Sequence, residues 1–278
     1  MAASTQWQLA HQAAEQYEQV LVPTILGPAA RALVEWAAPL PGDSVLDLGC
    51  GTGAAARAAA QKAGTSGRVV GVDVNAGMIG VARSLPPVPG AALEWQEGSA
   101  DALPLTDHSM DRVLCAQTLQ FLPDRPAALA EVARILKPGG RLAVSLWSDL
   151  RESPYFQALI DAISKHVGAE TAAGLEAAFG LSDTGEIRAL LAGAGFGPIE
   201  MVVERLELEL PAPETFVPTH IDATPMSAGY RAAARRDQER VVRDVAAAVE
   251  PYRMNGGVRV PFSTHLIIAT CTNDRGSG

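Results

Sequence analysis

One short stretch concentrates residues able to do chemistry. Residues 45–53 read Val-Leu-Asp-Leu-Gly-Cys-Gly-Thr-Gly, with one acid, Asp47, followed by Gly49, Gly51 and Gly53 spaced by two. Glycine is needed where backbone takes a positive φ or lies close to a ligand, because a Cβ would clash in either case. The alanine-rich segment from Ala54 favours a helix, and a helix start offers free N–H groups and a positive dipole end to a polar or anionic ligand part. A second acid, Asp73, follows Gly53 by 20 residues and closes the apolar run Arg68 to Val72. A carboxylate at the carboxyl end of the next parallel strand can accept hydrogen bonds from two ribose hydroxyls; the competing role is a helix cap, since Asp73 and Asn75 both precede a helical run.

Candidates for proton transfer are few. The five histidines are His11, His108, His166, His220 and His265. His220 and His11 lie in segments able to overhang the strand ends, so they are the candidate general bases if an acceptor must lose a proton. Asp107 and Asp111 read as a turn. No metal-ligand spacing and no nucleophile–base pairing is visible. Trp7, Tyr17, Trp147, Tyr155, Phe156 and Phe216 are available to line an apolar pocket, or simply to pack.

The elements that must position these groups follow from periodicity and breakers. An amphipathic helix over 4–22 is expected to stop before Pro23, and a second opens at Pro28 and runs to about Ala38. Strands are expected at 44–48, 68–72, 92–96, 112–116 and 141–147, alternating with helices. The segment 149–196 is largely helical, a sixth strand covers 199–210, helices return over 211–257, and a seventh strand covers 258–271. Alternation of this kind means an α/β fold, an open parallel sheet with helices on both faces. Three parts are expected: a helical lid over 1–40, a cofactor-binding core over 41–148, and a remainder over 149–278 carrying helical substrate-cap insertions.

Composition bounds the partners. The 278 residues carry a net charge of −9, with 48% hydrophobic and 19% charged residues. That is a globular chain. Lysine occurs only at Lys62, Lys137 and Lys165, so nucleic acid is a poor electrostatic partner. Cys50, Cys115 and Cys271 are odd in number and lack C-x-x-C spacing; buried free thiols in a reducing cytoplasm are expected. There is no signal-peptide pattern, and no apolar run approaches the ~20 residues of a membrane span. Oligomeric state, monomer or homodimer, stays open.

Four stretches in order, VLDLGCGTG, VVGVDVNAGMI, EGSADALPLTDHSMDRVLCAQTLQFLPD and LKPGGRLAVSLW, resemble the class I S-adenosylmethionine-dependent methyltransferases, in particular the small-molecule and quinone-biosynthesis subgroup. The resemblance covers 25–148 by motif and 149–271 by layout. It implies a Rossmann-like seven-stranded sheet with the last strand antiparallel, and S-adenosylmethionine across the carboxyl ends of strands 1 to 4. Position by position, it implies Asp47, Gly49, Cys50, Gly51, Thr52 and Gly53 at the amino-acid end of the cofactor. Asp73 falls at the ribose, Val74 at the adenine, and Ser99 and Ala100 at the adenine edge; Met78, on the helix that follows Asp73, then faces the adenine or simply packs. Cys115, Ala116 and Gln117 fall near the sulfonium and substrate, and Tyr17 in the lid. Two departures stand out. Ser99 occupies the place of an Asp or Asn, with Asp101 as a substitute acceptor. Leu119-Gln120-Phe121 replaces the Leu-His-His of quinone-type relatives.

The implied activity is methyl transfer to oxygen, nitrogen or carbon of a small, partly apolar molecule. Two other readings remain. Gly49, Gly51 and Ala54 just satisfy a dinucleotide fingerprint, which would suit an NAD(P)-dependent oxidoreductase, although no Tyr-x-x-x-Lys hydride-transfer site accompanies it. A catalytically silent cofactor-binding protein acting through the charged segment 227–250 is the third.

Overall fold

The computed structural model describes residues 11–272. Its sheet has the strand order β3-β2-β1-β4-β5-β8-β6. The strands are β1 (Ser44–Leu48), β2 (Arg68–Asp73), β3 (Ala92–Glu97), β4 (Met110–Ala116), β5 (Leu136–Trp147), β6 (Phe196–Pro211), a two-residue β7 (Arg253–Met254) and β8 (Gly257–Cys271). β1 to β5 pair in parallel, while β8 runs antiparallel to both β5 and β6. The expected seven strands with the last reversed are therefore present, and β7 adds a short hairpin arm to β8.

Strand side chains alternate between faces with period two, and both faces here are apolar. Val45, Val69, Leu114, Ala143 and Leu266 pack on one face beneath α2 (Gly27–Ala37) and α3 (Ala54–Ala63). Their immediate neighbours Leu46, Val70, Val113, Val144 and Ile267 pack on the other, against α5 (Arg125–Ile135) and α8 (Thr184–Gly193). Runs of consecutive apolar residues rather than alternating ones are what a sheet covered on both sides requires.

A third core lies beyond the strand ends. It joins α6 (Pro154–His166), α7 (Ala169–Glu176), α9 (Pro213–Asp222), α10 (Ser227–Ala232) and α11 (Arg235–Ala248) to the far ends of β6 and β8. The remaining helix, α4 (Ala76–Ser84), starts on Asn75, whose Oδ1 accepts from the N–H groups of Gly77 and Met78 at 2.8 and 3.2 Å. That is an N-cap, so the capping role weighed for Asp73 belongs to Asn75.

The N-terminal region departs from expectation. Pro23 does not stop the helix. α1 (His11–Gln16) passes into a π-helical stretch, Tyr17–Leu26, and then into α2, so that residues 13–37 form one rod. Proline lacks the N–H that an α-helix would bond to residue i−4, and its ring clashes with that carbonyl. Widening the turn to i−5 bonds relieves the clash, and the Gly27 N–H accordingly donates to Val22 O. By length and composition alone the rod is apolar enough to cross a bilayer, a test that the core helix of a globular protein also passes. Its apolar residues are largely spent inside the molecule: Leu21, Ile25 and Ala29 join the third core, and Ala30, Leu33, Val34 and Ala37 the first.

Candidate active site

The rod, the carboxyl ends of β1, β2, β4 and β5, the 3-10 turns Leu119–Phe121 and Ala177–Phe179, and α9 enclose a cavity of about 440 Å³. It runs from Asp73, Val74, Ser99 and Asp101 at one end to Trp147, Leu175, Ala178 and His220 at the other.

The glycine turn makes the floor. Gly51 has φ +54°, and a Cβ there would lie 3.6 Å from Tyr17 Oη across the cavity. Its N–H donates to Asp73 Oδ2 at 2.8 Å, while Asp73 Oδ1 accepts from the Asn75 N–H at 2.8 Å. Burial raises the Asp73 pKa, against the lowering effect of these N–H donors. Gly53, with φ +93°, serves packing instead: a Cβ there would meet the Trp95 ring at 2.2 Å.

Asp47 is the most deeply placed acid, only 1% exposed. Its Oδ2 accepts from the Ala56 N–H at 2.8 Å, and its buried Oδ1 has no hydrogen-bond partner among the described residues. Burial, with the Asp73 charge adding, raises its pKa to about 7. An unpartnered buried acceptor costs about 1–3 kcal/mol. Placed on a cavity wall, it fits a ligand that brings a donor or a cation. Tyr17 crosses above the turn, and burial together with Asp73, Glu18 and Asp47 raises its pKa, keeping the phenol protonated. Beside it the Thr52 hydroxyl donates to Glu18 Oε2 at 2.5 Å, clasping the rod to the glycine turn.

Of the residues singled out from sequence, Tyr17, Asp47, Gly49, Cys50, Gly51, Asp73, Val74, Met78, Ser99, Ala100, Ala116 and Gln117 all border the cavity. Thr52, Gly53 and Cys115 do not. Thr52 faces Glu18, Gly53 seats Trp95, and Cys115 packs among Leu46, Val113 and Leu142 with burial pushing its thiol up to about 12. All three cysteines are buried and free. Ser99 Oγ donates to Asp101 Oδ1, and both residues line the cavity, so Asp101 supplies a carboxylate next to the serine that replaces the usual acid.

At the far end His220 is 2% exposed and borders the cavity, its Nδ1 2.8 Å from Tyr155 Oη. Burial lowers its pKa to about 3, so it is neutral at physiological pH and poorly suited to take up a proton. This burial does not favour the general-base role expected for it. The His11 side chain and Trp7 lie outside the described residues. His108, His166 and His265 are held by Leu136 O, Asp244 and Ser182 O, and Asp111 is tied to Lys137 and the Ser44 N–H. Among the aromatics, Tyr17 and Trp147 line the cavity, while Tyr155, Phe156 and Phe216 stand behind it in the third core.

Several lining residues carried no signal in the sequence, among them Ile25, Leu26, Leu175 and Thr224. Thr118 was within reach, since it follows Gln117 at the end of β4; its hydroxyl donates to Gly49 O or Ala116 O, each at 3.1 Å. Gln117 has φ +55°, a conformation costly for a residue with a side chain and concentrated at functional sites. Its Nε2 donates to Thr264 Oγ1 at 3.1 Å, and its buried Oε1 has no hydrogen-bond partner among the described residues. No group of three or more His, Cys, Asp or Glu suited to a metal exists among the described residues.

Comparison with known proteins agrees with this geometry. A family model described as a methyltransferase domain matches residues 46–144. Nocamycin O-methyltransferase of Saccharothrix syringae is 32% identical over 203 residues, covering 68% of this chain and 72% of that one. 2-Phytyl-1,4-naphtoquinone methyltransferase of Synechococcus elongatus is 38% identical over 116 residues, 41% of this chain; the match spans half the length of that relative, at 50%. The fold is shared with phosphoethanolamine N-methyltransferase 2 of Haemonchus contortus, solved with S-adenosylhomocysteine, at a TM-score of 0.57 and 17% identity, over 95% of this chain and 58% of that one. The ordered motifs, the sheet with its reversed last strand and the extended match to an O-methyltransferase agree: the chain belongs to the S-adenosylmethionine-dependent methyltransferase family.

Proposed function

We propose that the chain methylates a small, partly apolar molecule with S-adenosylmethionine as donor. The observation that carries this reading is the unpartnered, buried Oδ1 of Asp47 on the wall of a cavity that also holds the Asp73 carboxylate. An amino group answers the first and ribose hydroxyls the second. Tyr17, Gly49, Cys50 and Gly51 would enclose the amino-acid part, Val74 and Met78 the adenine faces, and Ser99, Ala100 and Asp101 its edge. Thr52 acts one step removed, through Glu18. Bound there, the cofactor supplies a methyl group on a positively charged sulfur.

Against such a donor the protein's work is alignment and exclusion of water. The rod over residues 13–37 closes the cavity from above, and we read residues 1–40 as the lid, 41–148 as the cofactor-binding core and 149–278 as the rest of the sheet with the acceptor cap. Ala116 and Gln117 line the cavity between its two ends, where they would flank the methyl group and the acceptor atom. The free Oε1 of Gln117 is available to orient the acceptor. The apolar lining at Leu21, Ile25, Trp147, Leu175 and Ala178 supports an apolar acceptor body. The relative matched over 203 residues carries an O-methyltransferase name, which favours oxygen over nitrogen or carbon. Three buried thiols suit a reducing compartment, and we place the protein in the cytoplasm.

A thermal-shift assay tests the cofactor. A ligand bound only to the native state raises stability by RT ln(1+[L]/Kd). S-adenosylhomocysteine raises the melting temperature and NADH does not; the reverse would return the dinucleotide reading. Incubation with tritiated S-adenosylmethionine and a panel of phenols, enols, acids and amines tests transfer. A protein that binds cofactor yet labels nothing in that panel is a silent binder.

A further inference from the structure

The far end of the cavity has one polar group that the cofactor reading leaves unused. His220 sits at the carboxyl end of α9 with its ring stacked on Tyr155, centroids 5.6 Å apart and 22° between planes, with Phe156 edge-on and Phe216 tilted beside it. Its Nδ1 is 2.8 Å from Tyr155 Oη, and Nε2 has no protein partner among the described residues. Tyr155 is 1% exposed, and its hydroxyl has no other hydrogen-bond partner there.

That arrangement decides where the proton sits. If Nδ1–H donated to Tyr155, the buried phenol O–H would be left without an acceptor, which costs about 1–3 kcal/mol. If the phenol donates to Nδ1, both groups are satisfied and the ring proton lies on Nε2. Since His220 borders the cavity, Nε2–H is then a neutral donor with a fixed direction. A fixed donor in an apolar pocket selects a ligand that brings an acceptor, because a ligand lacking one leaves the donor buried and unpaired.

Resting on the methyltransferase reading, we propose that His220, oriented by Tyr155, binds an oxygen of the methyl acceptor, and that the acceptor is an apolar conjugated compound with an acidic hydroxyl, an enol or vinylogous acid, beside a carbonyl. The ionisation follows from the same geometry. Nε2 already carries its proton and cannot serve as the base, and among the described residues Trp147, Leu175, Ala178 and Thr224, which line this end of the cavity beside it, offer none. The acceptor therefore arrives as an anion, having lost its proton to water. A lone pair on that oxygen forms the new O–CH3 bond as the C–S bond breaks; the bonding pair stays on sulfur, and both charges are neutralised. Nε2–H holds the neighbouring carbonyl, which fixes the attacking oxygen in line. His220 is thus a specificity-determining residue, and Tyr155 a positioning residue that acts through it.

Two measurements test this, both on the full chain saturated with S-adenosylhomocysteine. Nitrogen-15 NMR of the histidine rings should show His220 as the Nε2–H form, unchanged between pH 5.5 and 8.5, with its Nε2 resonance shifting on addition of 2-hydroxy-1,4-naphthoquinone. A His220 ring protonated on Nδ1, or one that titrates in this range, overturns the proposal. In calorimetry, His220→Phe should weaken binding of 2-hydroxy-1,4-naphthoquinone ten- to a hundredfold, whereas His220→Gln, which keeps an N–H, should weaken it less than tenfold. Tyr155→Phe should fall between them. Equal affinity in wild type and His220→Phe, preference for 1-naphthylamine, or no binding of the quinone to wild type each overturns it. Failure of the underlying methyltransferase reading is separate, as loss of the S-adenosylhomocysteine thermal shift in wild type.

Discussion

The Asp73 carboxylate and the Gly51 N–H are hydrogen-bonded at 2.8 Å, joining the end of β2 to the middle of the glycine turn. One side chain therefore shapes the turn and faces the cavity. Substituting Asp73 removes both functions together. Hydrogen bonds to a charged group contribute about 1.5–3 kcal/mol each, so Asp73→Ala should lower S-adenosylhomocysteine affinity by at least a hundredfold in calorimetry. Asp73→Asn keeps one acceptor oxygen and should fall between Asp73→Ala and wild type. A normal affinity in Asp73→Ala would remove this residue from the binding site.

Asp47 makes ligand binding depend on pH. Its pKa in the fold is raised to about 7 by burial, against ~4 in an unfolded chain. Between those values the folded protein holds a proton that the unfolded chain does not. Asp47's contribution to the stability of the free protein is therefore fully present below pH ~4 and is lost as pH rises through about 7; the raised pKa of Asp73 acts in the same direction. A ligand carrying an ammonium beside Asp47 prefers the ionised carboxylate. Affinity for S-adenosylhomocysteine should rise about tenfold from pH 6 to 8, with proton release measurable by calorimetry in two buffers. Asp47→Asn should bind weakly and without that slope.

The Thr52–Glu18 hydrogen bond clasps the rod to the turn without facing the cavity. Thr52→Val keeps the shape and deletes the donor, leaving a half-buried carboxylate without this partner at a cost of about 1–3 kcal/mol. Hydrogen exchange should accelerate over residues 13–26, and S-adenosylhomocysteine should dissociate faster. Exchange at wild-type rates would show that the clasp does not hold the lid.

Gly27→Ala sets two effects against each other. Alanine is favoured over glycine inside a helix by about 1 kcal/mol. Here, however, the new Cβ would lie 2.5 Å from the Val22 carbonyl oxygen, a backbone atom that cannot move without disturbing the π stretch. Overpacking of that kind costs about 1–3 kcal/mol. The clash should win, lowering the melting temperature by several degrees and weakening cofactor binding through displaced Tyr17. A stabilised variant would show that the rod tolerates a regular α-turn at this point.

The end of the cavity proposed for the cofactor was legible because its signals are local. The turn at 49–53, the acid closing β2 and the strand–helix alternation each fall within one or two elements. Spacing could not say which side of the turn a residue faces, so Thr52 and Gly53 were grouped with the ligand although they bind Glu18 and seat Trp95. Pro23 misled for a physical reason: proline ends α-helices, but a π turn removes the bond it cannot make. The acceptor end draws Leu21, Phe121, Trp147, Leu175 and His220 from five segments far apart in the chain, and no periodicity links them.

The continuous rod has a consequence for how this protein could acquire a new acceptor. Tyr17 near its start and Ile25 and Leu26 further along wall the same cavity, joined by a helix with no hinge between them. Selection for a different acceptor acting on the rod disturbs the hold on the donor as well. The 3-10 turn Ala177–Phe179 and helix α9 touch the cavity only at its far end. On the proposed reading, those two segments are where the choice of acceptor can change while the cofactor contacts stay as they are.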